Sequence, residues 1–472
     1  MIRPSFAALA SALLLAGCMV GPDYKGPPHP APLAEAAPAF HRAPLAAVAA
    51  ASPPARWWRA LNDPELDRLI DAALARSPDL HAAEARLRQS RAMLDGQRRN
   101  LLPNASADAG FLHAGGLGGL TGGAGGGSLN LYNAGFDATW ELDLFGGVRR
   151  AEESARAQTE SVQAALEDAR VSLAAEVARV YVGLREQQAQ KAIAERSAEI
   201  EARMVDISSQ RRDRGVESDL DLERLRAQLE QTRAALVPIR GQIEESLDRL
   251  AVLTGREPGT LDAELSPAAA PPELPIDIAV GDPAQMLRRR PDVREAERRL
   301  AAQNAVIGQR TADLFPKLNL IGVIGWGATD LNHLFDSTTS LAAPMLQWNA
   351  LDFGRTRARI AQATAGRDEA AAQYETTVLN ALQDAETSLS RLGHAREDVM
   401  VLARVKASAD RAAALTEQRQ RAGVASVADV LDTERTRQSA EQNLESARAQ
   451  LTLAYVSLQK SLGLGWEPAQ PS

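Results

Sequence analysis

Charged side chains gather beside two glycines of this 472-residue chain. Arg211, Arg212, Asp213, Arg214, Asp219 and Asp221 flank Gly215-Val216, and Arg419, Arg421, Asp429 and Asp432 flank Gly423-Val424. Groups of both signs at such spacing can pair with one another or repel and attract ions. They do not form a catalytic set. The six histidines (His29, His41, His81, His113, His333 and His394) are scattered. There is no His-Glu-x-x-His, no Gly-x-Ser-x-Gly and no phosphate-loop motif. Carboxylates are too numerous and too regularly helical to single out an acid–base pair. The one cysteine, Cys18, rules out an intramolecular disulfide and a multi-cysteine metal site. The residues therefore predict no enzyme, no metal and no cofactor.

Cys18 carries a different chemistry. Arg3 gives a short positive start, Phe6 to Ala16 is a short apolar run, and Leu15-Ala16-Gly17-Cys18 closes it. This is the layout of a signal peptide over residues 1–17, and the run is too short to span a bilayer. Small residues ending on Cys resemble the bacterial lipobox, which would make Cys18 the acylated N-terminus and a covalent lipid its only attached group. Each buried CH2 of such a lipid contributes about 0.8 kcal/mol of membrane affinity. Met19 follows, rather than the Asp that resembles an inner-membrane retention signal, so the outer membrane is the expected location. No later stretch reaches about 18 apolar residues, so a membrane crossing would have to be a closed barrel. The net charge of -8 argues against nucleic acid as a partner.

The elements that position these residues come twice. Residues 18–55, rich in Pro and Ala, read as an extended leader with no core of its own. Pro78-Asp79-Leu80 and Leu101-Leu102-Pro103 then recur as Pro291-Asp292-Val293 and Leu314-Phe315-Pro316, 213 residues on. Leu144-Phe145-Gly146, Gly215-Val216 and Leu250 to Gly255 recur as Asp352-Phe353-Gly354, Gly423-Val424 and Leu458 to Gly463, 208 residues on. The change in offset falls between the second proline and the Phe-Gly, which suits a surface loop. The chain is thus two copies of one unit, 56–255 and 284–472, joined by a proline-rich connection over 256–283.

Each copy predicts one long helix, 146–214 and 354–422. In the first, Leu166, Leu173 and Val180, then Ile193, Ile200 and Ile207, recur every seven residues. That narrow stripe is coiled-coil-like, and the helix would be roughly 100 Å long. Two shorter helices, 218–254 (interrupted at Pro238) and 78–101, sum to a comparable length and predict a stacked partner. The second copy repeats this with 426–462 and 291–314. Strands are expected over about 103–145 and 315–353. Tyr132 to Leu142 alternates, with Tyr, Ala, Phe, Ala, Trp and Leu on one side and Asn, Gly, Asp, Thr and Glu on the other, as a strand with lipid on one face and a polar lumen on the other would. These two stretches hold 10 of the chain's 19 aromatic residues. Tyr132, Phe136, Trp140, Phe145, Trp326, Trp348 and Phe353 read as a membrane-interface girdle. The Gly-rich run 115–127 reads as an outward hairpin loop. Two strands per copy give four per chain, too few to close a barrel, so the chain must oligomerise; two copies supply 8 strands and three supply 12.

Together these features resemble the outer-membrane factors, the TolC-like efflux components, in their lipoprotein branch. The residues carrying the resemblance are Leu15 to Cys18 with Val20-Gly21-Pro22-Asp23-Tyr24, Trp57-Trp58 with Asp63-Pro64-Glu65-Leu66, Arg290 to Glu297, Leu351 to Arg355, and Gly423-Val424 leading to Val430-Leu431-Asp432. The resemblance covers the mature chain. It implies a mainly α fold with a membrane β-barrel, built as a homotrimer with a 12-stranded barrel and a periplasmic α-helical tunnel. It implies a periplasmic adaptor, an inner-membrane pump of the RND type and outer-membrane lipid as partners, with small molecules as cargo. Protein export of the type I kind is the alternative cargo, and a lipid-anchored coiled-coil scaffold without a pore is the alternative class.

The resemblance also places Gly215-Val216 and Gly423-Val424 at the periplasmic tip, within 211–221 and 419–432. Threefold symmetry would turn inward Asp219, Asp221, Asp429 or Asp432 into rings that Arg214 and Arg421 could pair with to close the pore. Asp432 matches a position tied to the constriction, while Ala428 departs from the bulkier apolar residue often found there. The plainer alternative is that these charges are solvated helix ends.

Overall fold

The computed structural model describes residues 19–42, 48–49, 53–114, 129–269, 271–272, 274–275 and 277–466. The signal peptide, Cys18 and the Gly-rich run 115–127 lie outside them. Two compact units emerge: Met1–Pro28 with Arg86–Gln163 and Glu295–Thr376, and His29–Ala85 with Ala164–Arg294 and Thr377–Ser472. In chain order the regular elements begin with α1 (Pro32–Ala36), β1 (Val48–Ala49), α2 (Pro64–Arg76), α3 (Pro78–Arg99), β2 (Asn104–Ala114), β3 (Leu129–Leu142), α4 (Gly147–Asp213) and α5 (Asp219–Leu253). They continue with α6 (Asp262–Leu265), β4 (Ile278–Ala279), α7 (Pro283–Arg289), α8 (Pro291–Ala312), β5 (Lys317–Ala328), β6 (Thr338–Gln347), α9 (Arg355–Arg421) and α10 (Val427–Ser461). Among the described residues no helix is long and apolar enough to cross a membrane.

The first unit is organised by an antiparallel sheet in the order β2-β3-β5-β6. The two hairpins obey one register. Asn104 faces Thr139 in the first, and Lys317 faces Gln347 in the second, each partner moved by its own repeat offset. β2 ends at Ala114 and β3 begins at Leu129, whereas β5 ends at Ala328 and β6 begins at Thr338, so the five-residue length change falls between the two strands of each copy. The leader is held on this unit more firmly than its composition predicts. Val20 donates its N–H to the Phe145 carbonyl at 3.2 Å. Arg150, 2% exposed, donates to the Val20 and Gly21 carbonyls and to the Asp23 carboxylate at 2.6 Å. Asn304 donates to the Pro22 carbonyl at 2.9 Å. Tyr24 packs on Ala157, Ala301 and Ala302 beneath the Arg298 guanidinium.

In the second unit the same joint is built twice. Helix α5 ends on Gly255, whose φ of 70° only glycine adopts cheaply, and a Cβ there would lie 2.6 Å from the Arg76 carbonyl just before α3. Helix α10 ends on Gly463 at φ 69°, against Arg290 just before α8. Arg290 is 8% exposed; it donates to the Ser461 carbonyl at 2.8 Å and pairs with Asp292 at 2.6 Å. Its positive charge thus satisfies one of the carbonyls left free at the end of α10. Trp57 and Trp58 are fully buried in this unit, and the Tyr455 hydroxyl donates to the Trp57 carbonyl.

Two expectations need correction. Pro238 does not interrupt its helix: α5 runs unbroken through it. Both Pro238 and Ala234, whose carbonyl loses its partner, are exposed, which leaves that carbonyl open to solvent and lowers the cost of the missing hydrogen bond. The leader is also more than an extended strand. It forms α1, buries Phe40, pairs β1 in parallel with β4, and offers the His41 and Arg42 amides to the Glu386 carboxylate at 2.8 and 2.9 Å.

Near Arg290, burial first and then the Asp292 charge raise the Asp168 carboxyl above the usual aspartate range. The folded state therefore binds this proton more tightly than the unfolded one, and stability is lost as pH rises through the raised value. Asp168→Asn is expected to raise the thermal midpoint at neutral pH, with the gain shrinking as pH falls through the aspartate range. Calorimetry at several pH values reads this; a gain independent of pH would contradict it.

Candidate functional site

The sheet has two chemically distinct faces. Directly opposed residues share a face, so the pairing assigns Ala105, Ala107, Ala109, Phe111, Tyr132, Phe136, Trp140, Leu320, Ile324, Trp326 and Leu346 to one side. No Asp, Glu, Lys or Arg of the four strands lies there. All of them (Asp108, Asp137, Glu141 and Lys317) lie on the other side. A charge at mid-bilayer costs about 2–4 kcal/mol for Arg or Lys, so the uncharged face is the one that tolerates lipid. Phe111, Phe136, Ile324 and Leu346 are all exposed on it. On the charged face, Ser106 donates to Asp137 at 2.5 Å and Asn133 donates to Asp108 at 2.9 Å, a hydrogen-bonded ladder across β2 and β3. Lys317 lies 3.7 Å from Glu141 and 3.5 Å from Asp313.

The aromatic residues do more than coat the strands. Trp140 donates its indole N–H to the Leu101 carbonyl at 3.0 Å, and Trp348 donates to the Leu314 carbonyl at 3.0 Å. These are repeat-equivalent pairs, each tying the end of an outgoing strand to the end of the incoming helix. Phe145 stacks on Phe315 at 4.5 Å between ring centres, and Phe111 lies 4.8 Å from Tyr132. Trp326 meets Phe335 edge-on. Phe353, the equivalent of Phe145, is 93% exposed and takes a positive φ of 52°. Its equivalent partner would be Leu102, which is itself exposed. Beside it, hydrogen bonds from Thr356 and Gly354 hold the Asp352 carboxyl down to about 2, as the N-terminal cap of α9.

The two glycine turns are built alike. At Gly215, φ is 72°, with Gly215 N–H donating to Arg212 and Val216 N–H to Arg211; at Gly423, φ is 77°, with donations to Gln420 and Arg419. This is the Schellman ending, which needs the left-handed residue glycine supplies. Ser218 and Ser426 then cap the returning helices, accepting from the Asp221 and Asp429 amides. Both carboxylates are drawn into these caps: Asp221 accepts from the Ser218 hydroxyl, and Asp429 from the Ser426 amide and hydroxyl. Those bonds hold the Asp429 carboxyl below the usual range. Asp219 pairs with Arg212 at 3.2 Å, and Arg421 pairs with Glu417, a partner the sequence reading did not single out. Arg214 and Asp432 are exposed and have no side-chain partner among the described residues. Val216 and Val424 project into solvent at 63% and 64% exposure. Among the described residues no cluster of His, Asp and Glu is placed to hold a metal ion.

Comparison with known proteins matches this arrangement to one family. The family model described as outer membrane efflux protein matches residues 69–256 and 283–464. The pyoverdine export outer membrane protein OpmQ of Pseudomonas putida is 32% identical, over 94% of this chain and 95% of that protein. The outer membrane protein OprJ of Pseudomonas aeruginosa is 30% identical, over 99% of this chain and 97% of its own length. Among solved structures, the outer-membrane channel OprN superposes with a TM-score of 0.88 at 34% identity, covering 96% of this chain and 100% of that one.

Proposed function

Because the chain belongs to the outer membrane efflux protein family, we propose that it is the outer-membrane conduit of a tripartite efflux assembly that exports small molecules. In this reading Cys18 carries the lipid anchor. Three copies close a 12-stranded barrel and a periplasmic tunnel, and the Gly215 and Gly423 turns meet a periplasmic adaptor coupled to an RND-type pump in the inner membrane. The pump supplies the energy and the chain supplies the path.

The observation that carries the proposal is the sheet. It has one uncharged face, one charged face and two unpaired edges, β2 and β6. Four strands cannot close on themselves, and long free edges invite pairing with another copy. The small-molecule cargo is supported by relatives named for antibiotic efflux and pyoverdine export.

At the tip, Asp432 and Arg421 are proposed to form charge rings that narrow the closed pore across copies. Purified protein in planar bilayers tests both levels. Discrete channels are expected from the wild type, and a several-fold larger conductance from Asp432→Ala with Arg421→Ala. Channels whose conductance ignores the substitutions would remove the gate. No channels at all would favour a coiled-coil scaffold over a conduit.

A further inference from the structure

The charged face of the sheet is not uniform, and the two repeats show how. In the first hairpin it presents Ser106, Asp108, Asn133, Asp137 and Glu141, with Leu112, Leu129 and Leu131 only toward the loop end. In the second it presents Ile321, Val323, Leu341, Ala343 and Met345 at the level of those acidic residues, flanked by Lys317, Asn319 and Gln347 at one end and Thr339 at the other. The backbone registers are the same, so positions compare one to one. Asp108 corresponds to Ile321, Asn133 to Leu341, and Asp137 to Met345. Three of the four ladder members are thus replaced by large apolar side chains, while Ser106 corresponds to the polar Asn319. Val323, Leu341 and Met345 are 39%, 57% and 49% exposed.

A water-filled lumen gives no reason for that exchange. Apolar surface left in water costs about 25 cal/mol per Å² relative to burial. The first hairpin shows that the same backbone positions accept polar residues. The apolar stripe therefore has to be covered by something passing or resident. Charge complementarity says which kind of occupant fits. Three carboxylates share the face with the single cation Lys317, which already lies between Glu141 and Asp313. Asp108 and Asp137 have only neutral partners, Asn133 and Ser106.

We infer that, at the level of Asp108 and Asp137, the barrel lumen is lined by alternating acidic and apolar stripes, one of each per copy, which together favour amphiphilic organic cations: an apolar body against Leu341, Met345 and Val323 with its charge toward Asp108 and Asp137. This rests on the conduit reading above and narrows its cargo. An apolar surface supplies affinity without fixed geometry, and the adjacent carboxylates exclude apolar anions of the same shape.

The test uses the full-length protein in planar bilayers, with probes added on the side of the hairpin loops. Tetraphenylphosphonium is expected to block the ion current at concentrations at which tetraphenylborate, matched in shape but anionic, and tetramethylammonium, cationic but small and weakly apolar, do not. Replacing the apolar stripe by its repeat counterparts, Leu341→Asn with Met345→Asp, should weaken that block roughly 5- to 30-fold, the change that one to two kcal/mol of lost contact corresponds to, while ion current persists. Asp108→Asn with Asp137→Asn should instead erase the preference for phosphonium over borate. Equal block by all three probes in a conducting channel would overturn this inference and leave the conduit standing. So would a stripe variant that no longer forms trimers while the wild type ignores phosphonium, since the stripe would then be a packing surface. Absence of any ion current would overturn the conduit reading itself.

Discussion

The double substitution Ala343→Cys with Leu112→Cys is expected to link the protein into covalent trimers on oxidation. The reasoning is quasi-equivalence. Inside one chain, β3 pairs with β5 so that Gly135 faces Gly325. Strand β6 is β3 moved by 208 residues, and β2 is β5 moved back by 213. If the β6 edge of one copy pairs with the β2 edge of the next as β3 pairs with β5, Ala343 faces Leu112 of the next copy. Opposed residues of an antiparallel pair have Cα atoms roughly 4.5–5.5 Å apart, within disulfide range. In the proposed trimer each chain bridges both neighbours, so the linked product stops at three. Ala343→Cys with Phe111→Cys is the control, because a one-residue shift sends the two thiols to opposite faces. Denaturing gels read the outcome. Equal yields from both pairs, or ladders beyond three, would contradict the register.

The second large effect is expected from Gly21→Val. Gly21 has a φ of 87°, and a Cβ on it would lie 2.4 Å from the Gly308 Cα, a collision with backbone that no rotamer relieves. Beneath it, a Cβ on Gly308 would lie 2.8 Å from Arg150, so the contact cannot relax from the other side without displacing that buried arginine. The substitution should therefore release residues 19–24 from Phe145, Arg150 and Asn304. Left-handed strain and the lost hydrogen bonds amount to about 2–3 kcal/mol. That corresponds to a rise of roughly 30- to 150-fold in the open population, which limited trypsin cleavage after Lys25 would sample. Unchanged cleavage would mean that the segment is not held there. Arg150→Ala should act in the same direction but less strongly, because the carbonyls it leaves belong to partly exposed residues that water can reach.

Much of this molecule is legible in its sequence because the chain states its unit twice. The glycines after Phe145 and Phe353, and those at 215 and 423, mark helix boundaries within a residue or two of those observed. Strict alternation over 132–142 gives the sheet faces, because a strand's period leaves no other choice once one side is apolar. What stayed hidden has physical causes. Pro238 reads as a break because its cost is local, whereas the helix around it is secured by Leu229, Leu236 and Leu247 packing elsewhere. The leader reads as an extended segment with no core because its hold comes from partners more than a hundred residues away: Arg150, Asn304 and Glu386. At the tip the sequence shows charge but not commitment. Asp221 and Asp429 look like pore carboxylates, yet each is tied to a helix cap, as the Ser three residues before it could have signalled. The exchange of Asp108 and Asp137 for Ile321 and Met345 was present in the sequence too, but it emerges only when the two offsets are applied strand by strand.

On the proposed reading, this chain closes a barrel only in company with two others. Electron microscopy of the detergent-purified, full-length protein tests it most directly. A threefold particle with a detergent belt at one end is expected, at least about 100 Å long because a single 67-residue helix spans that distance. A monomeric particle, or a rod with no detergent-covered end, would show that the four strands form no barrel and would contradict the account.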